Sequence, residues 1–420
     1  MPAKQGVKRK ANGSQAAGVN VKPDLQAPDR NTWTGWVEME SDPAFFNVML
    51  KDAGVRGVKV QELYSLESDM LAILPRPVHA LIFLFKYRAQ DEVTNGATTC
   101  PGNVWFANQI PDFACATVAL INIVNNIPGI ELGPELSDFR RSTLQMEHMA
   151  RGDAIDKFDF VRRIHNSFAS ETEILNAEMH IRNKLLRPRQ DVYKTNTADD
   201  RDDDDDQAGF HFIAYMPIDG HVWRMDGLDY YPQDLGAYGT DSAGGTGEWL
   251  DIAQSSLAVR MAQYQDVDSF NLMAVVHDSA MQDRLALVQN VIAIRAIDVA
   301  LDAVVEDWRE MDEATISKEV LTGPSDELEI SSQDIIIAEV EHRWRESITN
   351  AADDLFKLLQ LRQRIIELQG PLRAAVRDAV SAERRDQEEA RHARHDYGSF
   401  VREWLGALAA EGLLSGLLEE

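Results

Sequence analysis

The chain has 420 residues, 44% of them hydrophobic, which gives room for one large domain and a smaller one with real cores, and 69 Asp and Glu against 42 Lys and Arg leave a net charge of −27. So acidic a surface argues against nucleic acid and favours a protein or peptide partner that carries basic residues. Two cysteines are too few for a disulfide framework, and no apolar run is long enough to cross a bilayer.

Residues 1–32 mix Lys, Gly, Ala, Asn and Pro without periodicity and read as a disordered basic tail. Its Lys8, Arg9 and Lys10 suit either a nuclear address or a solvated tail. The tail lacks the apolar core of a secretory signal, so both thiols are expected to stay reduced, in the cytoplasm or nucleus. In "MESDPAFFNVMLKDAGVRG", Asp42 can cap a helix that starts at Pro43 and Gly54 can end it. "PVHALIFLFKY", Pro77 to Tyr87, is a largely apolar run rich in aromatic and branched residues and suits a strand covered on both faces. A helix is expected from about Asp112 to Asn126, stopped by "IPGI".

Between a helix ending near His165 and a strand starting at Phe210 lies a long polar insertion, and its "TADDRDDDDDQAG" should repel itself into an extended form. "FHFIAYMPIDGHVWRMDGL" then reads as two strands joined at Asp219-Gly220, a two-residue hairpin signal. Beyond about Val276 the pattern turns helical. Val340, Trp344, Ile348, Leu355, Leu359 and Ile366 share a helical stripe that Gly370-Pro371 is expected to close, and Phe400, Val401, Trp404, Leu405 and Leu408 form another. Trp344 and Trp404 are expected to pack between helices, with partner binding the second possibility, and His392 and His395 read as a solvated patch.

Chemistry enters at "NVWFANQIPDFACATVALINIV", Asn103 to Val124. With Asp112 as N-cap, Cys115 falls in the first helical turn, where unpaired N–H groups and the helix dipole favour a thiolate; alone it reads equally well as a small core residue. A thiolate that attacks a carbonyl needs a base held by a third group. In a hairpin turning at Asp219-Gly220, Asp226 lies opposite Ile213, which shares a face with His211, so His211 and Asp226 are diagonal neighbours roughly 7 to 8 Å apart at the backbone, within side-chain reach. Asp226 can then fix the imidazole tautomer. Gln109 can donate its amide N–H to an oxyanion beside the Cys115 backbone N–H, donors worth roughly 3 to 4 kcal/mol in a transition state. Cys100 has no such surroundings. No cofactor or metal is called for.

"FANQIPDFACATVAL", "LGPELSDF" and "FHFIAYMPIDGHVWRMDGL" resemble the signature segments of the ubiquitin C-terminal hydrolases, papain-like cysteine peptidases in which Gln, Cys, His and Asp occur in this order. "WVEMESDPAFFNVML" and "ALIFLFKY" are similar to the N-terminal segments of that family, and the likeness runs from about Trp36 to Val276. The resemblance implies an α+β fold, an antiparallel sheet flanked by helices, with Cys115 as nucleophile, His211 as general base and acid, Asp226 orienting His211, and Gln109 in the oxyanion hole. It also implies a catalytic domain over 33–276, in which 166–209 crosses above the active site.

"ARHARHDYGSFVREWLGALAAEGLLSGLLEE" resembles the C-terminal helical extension of the proteasome-associated branch. Segment 277–330 would connect to an all-helical partner-binding domain over 331–420. The implied activity is thiol-dependent hydrolysis of ester, thioester, amide or isopeptide bonds at the C-terminal glycine of ubiquitin. The implied partners are ubiquitin conjugates and a helical adaptor of the proteasome or a chromatin complex, with no nucleic acid and no membrane. The rival reading is a ubiquitin-binding scaffold with little catalysis, which has no physical need of all four residues.

Overall fold

A computed structural model describes residues 28–30, 32–87, 99–186, 209–239, 247–264, 270–311 and 320–411. Most of the basic tail and the Asp-rich run lie outside the described residues. The strands are β1 (Val58–Glu62), β2 (Val78–Lys86), β3 (Phe210–Ile218), β4 (His221–Met225), β5 (Gln233–Ala237) and β6 (Phe270–His277), in one sheet of order β1-β6-β2-β3-β4-β5. Every neighbouring pair is antiparallel. Helices α1 (Pro43–Asp52), α2 (Ser68–Ala72), α3 (Cys115–Asn126), α4 (Gly133–Thr143), α5 (His148–Asp156), α6 (Asp159–Asn166), α7 (Glu171–Leu186) and α8 (Gly247–Met261) surround it.

The apolar run of β2 has its physical reason in this layering. Ala80, Ile82 and Leu84 join one apolar cluster with α1 and α3, while Leu81, Phe83 and Phe85 join another with Leu71 of α2 and Trp249 of α8. Strand side chains alternate, so a central strand covered on both faces has no solvent side to mark with polar residues. The first helix begins as expected: Asp42 accepts the Ala44 N–H at 2.8 Å, Pro43 opens α1, and Gly54, at φ +87°, takes the left-handed conformation beyond its end. The hairpin turns on Asp219 (φ 49°) and Gly220 (φ 82°), and its register pairs Ile218 with His221 and Ala214 with Met225.

The helical region contains α9 (Ala280–Val304), α10 (Trp308–Met311), α11 (Ser332–Ile337), α12 (His342–Ala351), α13 (Leu355–Arg394) and α14 (Gly398–Ala410). Trp344 is buried within it, as expected, whereas α14 has no buried residue and leaves Trp404 54% exposed. Gly370-Pro371 does not close a helix, because α13 runs straight through it for 40 residues. An interior proline costs about 3 kcal/mol. Leu358 and Ile365 before it and Val376 and Val380 after it are buried, worth roughly 1.5 to 3 kcal/mol each, so packing against α9 outweighs the break.

Further along, α13 docks on the sheet-bearing part. Ala390 is fully buried in the cluster that holds α1 and α3, Asn47 donates to Asp386 at 3.0 Å, and Arg394 bonds Asp52 at 2.7 Å and Ser167 at 3.0 Å. Beyond it, Arg402 of α14 pairs with Glu171, the first residue of α7, at 3.5 Å.

The insertion expected after His165 is partly helical. Ser170 and Glu173 close a reciprocal cap at the start of α7, with Glu173 N–H on Ser170 Oγ at 3.2 Å and Ser170 N–H on Glu173 Oε2 at 2.6 Å. Trp33 Nε1–H donates to Glu178 Oε2 at 3.0 Å and fastens this helix to the N-terminal segment.

Candidate active site

Cys115 opens α3 and so lies in its first turn, as expected, but the residue at the cap is Ala114 and not the expected Asp112. Phe113, at φ 64°, bends the chain just before it, and Ala114 takes the N-cap position without a side-chain hydrogen bond. Asp112 instead holds Lys184 of α7, both carboxylate oxygens lying 2.8 Å from Nζ. The correction has a chemical consequence. A helix start that no side chain caps leaves backbone N–H groups available to an anion at Cys115. The Cys115 residue is 7% exposed, and its thiol lies 3.8 Å from the Phe210 carbonyl oxygen at the start of β3.

His211 stands one residue further along β3 and is 4% exposed. Its Nε2 lies 2.7 Å from Asp226 Oδ1, as the hairpin register required, and the Cys115 thiol hydrogen-bonds the same ring. With Nε2 engaged by the carboxylate, Nδ1 is the nitrogen left for sulfur. Burial opposes a charged imidazole here, but the charge and hydrogen bond of Asp226, helped by Cys115, outweigh it and hold the His211 pKa up at about 10. Asp226 faces the mirror situation: burial favours its neutral form, and the His211 charge and hydrogen bond, the Leu228 N–H at 3.0 Å and the Arg224 charge overcome it, so its pKa is lowered. Phe85 and Tyr87 meet the imidazole edge-on at 5.7 and 6.0 Å and fix its plane.

Gln109 is held against the turn that follows β4, its N–H donating to Gly227 O at 2.8 Å. A Cβ on Gly227 would stand 3.0 Å from Gln109 Cβ and 3.1 Å from Val118 Cγ1, one turn after Cys115, so Gly227 lets the glutamine lie beside the start of α3. The Gln109 Nε2 donates to Pro111 O at 3.2 Å, and Oε1 is buried without a partner among the described residues. Cys100 lies apart, half-buried, its thiol pushed up by burial and near the Pro101 and Val104 carbonyls. Both cysteines are free.

The supporting residues were not legible as such. Asn108 is 5% exposed and binds His148 and the 227–229 turn, and Arg224 pairs with Asp229 at 2.7 Å behind Asp226. A buried asparagine has no sequence signature; Arg224 and Asp229 flank Asp226 closely enough that the hairpin register could have drawn attention to them. On the other side of Phe210 lies a groove of about 800 Å³ lined by Glu38, Glu40, Asp42, Glu62 and Glu173.

A thiol at a helix start, an imidazole fixed by a carboxylate and a neighbouring amide form the arrangement that cysteine hydrolases use. The family model described as ubiquitin carboxyl-terminal hydrolase, family 1, matches residues 36–262, more than half of the chain, and the chain belongs to that family. It is 34% identical over 254 residues to ubiquitin carboxyl-terminal hydrolase isozyme L5 of Dictyostelium discoideum, covering 60% of this chain and 65% of that protein. It is 32% identical over 244 residues to ubiquitin carboxyl-terminal hydrolase ubh-4 of Caenorhabditis elegans, covering 57% and 66%. The chain thus spans just under two thirds of the length of these curated relatives. Among solved structures it is similar to the Trichinella spiralis UCH37 catalytic domain bound to ubiquitin vinyl methyl ester, with 27% identity, a TM-score of 0.45, and 61% of this chain and 99% of that chain covered.

Proposed function

We propose that this chain is a thiol-dependent deubiquitinase that cleaves after the C-terminal glycine of ubiquitin. The observation that carries the reading is the buried His211–Asp226 pair at 2.7 Å with the Cys115 thiol on the same ring. His211 takes the thiol proton, and the sulfur attacks the glycine carbonyl carbon. The carbonyl oxygen gains the electron pair and is met by the Cys115 N–H and the Gln109 amide, which must leave Pro111 O to reach it. As the tetrahedral species collapses, His211 gives its proton to the departing amine and a thioester remains on Cys115. Water then attacks the thioester while His211 takes a proton from it and returns that proton to sulfur. Asp226 keeps one ring nitrogen paired throughout, so Nδ1 stays turned to the reacting atoms.

The five carboxylates of the groove beside Phe210 support a basic extended peptide as the segment leading to the scissile bond, since charge complementarity guides such a chain toward the cleft. The exposed stripe of Phe400, Val401, Trp404 and Leu405 supports a helical adaptor protein, of the proteasome or of a chromatin complex, as a second partner. Such substrates and partners put the enzyme in the cytoplasm or nucleus. Ubiquitin carrying a C-terminal electrophile tests the reading: it should label wild type at Cys115, while Cys115→Ala should neither label nor hydrolyse yet still bind ubiquitin. A chain that binds ubiquitin, resists the probe and hydrolyses nothing would be the scaffold instead.

A further inference from the structure

Asn108 is buried, yet every hydrogen-bonding capacity of its amide that points into the protein is used. Its Oδ1 lies 2.6 Å from His148 Nδ1, and its Nδ2 donates to Asp229 O at 2.7 Å and Gly227 O at 3.4 Å. Two carbonyl oxygens on one side require the NH2 group there, so the other end is the oxygen and His148 carries a proton on Nδ1. Burial lowers the pKa of His148, which keeps the ring neutral with that proton in place. Tyr230 and Tyr231 hold the ring edge-on at 5.0 and 4.9 Å. The backbone repeats the bridge: Asn108 N–H bonds His148 O at 3.3 Å and Gln109 N–H bonds Gly227 O at 2.8 Å.

We propose that Asn108 is a positioning residue, which sets the oxyanion donor Gln109 and the orienting carboxylate Asp226 against each other through one amide wedged between His148 and the 227–229 turn. The proposal rests on the roles given above to Cys115, His211, Asp226 and Gln109. The turn is short and stiff: Asp226 Oδ1 accepts the Leu228 N–H at 3.0 Å, and the Asp229 N–H bonds Asp226 O at 3.1 Å. Whatever displaces Gly227 and Asp229 therefore displaces Asp226 from His211. Asn108→Asp keeps the shape of the side chain and replaces a donor by an acceptor, so an oxygen would face two carbonyl oxygens and the turn would move off.

The pH profile separates positioning from bulk stability. The charged and titratable groups around the pair are Cys115 across the His211 ring, Arg224 and Asp229 beyond Asp226, and Glu147 and Arg151 around His148. The substitution leaves these groups in place and adds a carboxyl at 108, whose negative charge would by itself raise the limb, so a lowered limb reports the displacement of Asp226. The full chain is assayed with a ubiquitin C-terminal fluorogenic reporter across pH, with a thermal melt to establish folding. Asn108→Asp should lower kcat on the order of 100-fold at unchanged KM, as expected for reacting groups about 1 Å out of place. Its alkaline limb should fall by about one pH unit or more, as the carboxylate that supports the imidazolium recedes.

A folded Asn108→Asp chain with wild-type kcat, or with lower kcat on an unshifted limb, overturns the proposal. Should that variant fail to fold, His148→Leu removes the donor that orients the amide while leaving Asn108 in place: a lowered limb supports the proposal and an unshifted one overturns it. Failure of the underlying reading shows separately, as hydrolysis that survives Cys115→Ala.

Discussion

Gly152 sits in α5 one turn after His148, where replacement of glycine by alanine would ordinarily strengthen a helix by about 1 kcal/mol. Here the added methyl meets the segment that carries Gln109, the proposed oxyanion donor. Its Cβ would stand 2.3 Å from the Asn108 carbonyl oxygen, 2.8 Å from Ile110 Cγ1 and 3.2 Å from the Asn108 carbonyl carbon, whereas ordinary contact begins at 3.4 Å. Ile110 can rotate away; the Asn108 carbonyl belongs to the backbone and cannot. Overpacking of this kind costs about 1 to 3 kcal/mol, so the net effect of Gly152→Ala is a loss of roughly 0 to 2 kcal/mol in place of the gain. The larger consequence is geometric. The carbonyl must retreat by about 1 Å, Gln109 moves with it, and kcat/KM should fall on the order of 100-fold. Thermal melting and hydrolysis of a ubiquitin C-terminal reporter are measured side by side. A variant that melts higher than wild type and keeps full activity would refute the close approach of α5 to residues 108–110 and the reasoning built on it.

Three further outcomes are expected. Asp226→Asn should keep the fold and lose on the order of 10⁴-fold in kcat, with its alkaline limb at lower pH because the charge that supports the imidazolium is gone; wild-type turnover would remove Asp226 from the site. His165 is fully buried between Thr117 Oγ1 at 2.7 Å and Val37 O at 2.8 Å, and burial holds its pKa down at about 4 against 6.5. A depressed folded pKa means stability that is complete above 6.5 and lost as pH falls through 4, here about 3 kcal/mol, so urea melts of His165→Gln should show a flatter acid limb than wild type, and equal limbs would count against it. Trp404→Glu with Leu408→Glu should change stability by less than about 0.5 kcal/mol, because α14 buries no residue, and should abolish capture of a helical adaptor; a large loss of stability would mean that this helix packs after all.

What the sequence revealed and what it hid divide along the range of the forces involved. Asp219-Gly220 dictates a two-residue turn from local backbone preferences, and because an antiparallel register propagates residue by residue, the meeting of His211 and Asp226 followed from the turn. The opening of α1 at Asp42-Pro43 was equally local. Helix α7 was legible through Ser170 and Glu173, a reciprocal cap at the required spacing, but the acidic run downstream drew the whole insertion into one polar reading. Asp112 misled because a cap is a competition: the carboxylate could bond the start of α3 or Lys184, and the partner from α7 is 72 residues away in sequence. Pro371 misled for the same reason, since the apolar contacts that carry α13 past it come from α9. Asn108, Gly152 and Gly227 act only through what lies opposite them in space, and no local pattern announces that.

Helix α13 also decides what the chain's last helix can reach. At 1.5 Å per residue its 40 residues extend for about 60 Å, and its far end is anchored on Asp52 and Ser167, so α14 emerges beside the sheet and Arg402 rests on Glu171 at the root of α7. The chain then enters β3 at Phe210 and His211, with no other described element between α7 and that strand. A protein gripped by the stripe on α14 is therefore tethered close to α7, whose Glu173 lines the groove beside Phe210. Its contacts with α7 become intramolecular, at effective concentrations on the order of millimolar, so even a surface with feeble affinity of its own would occupy that helix most of the time.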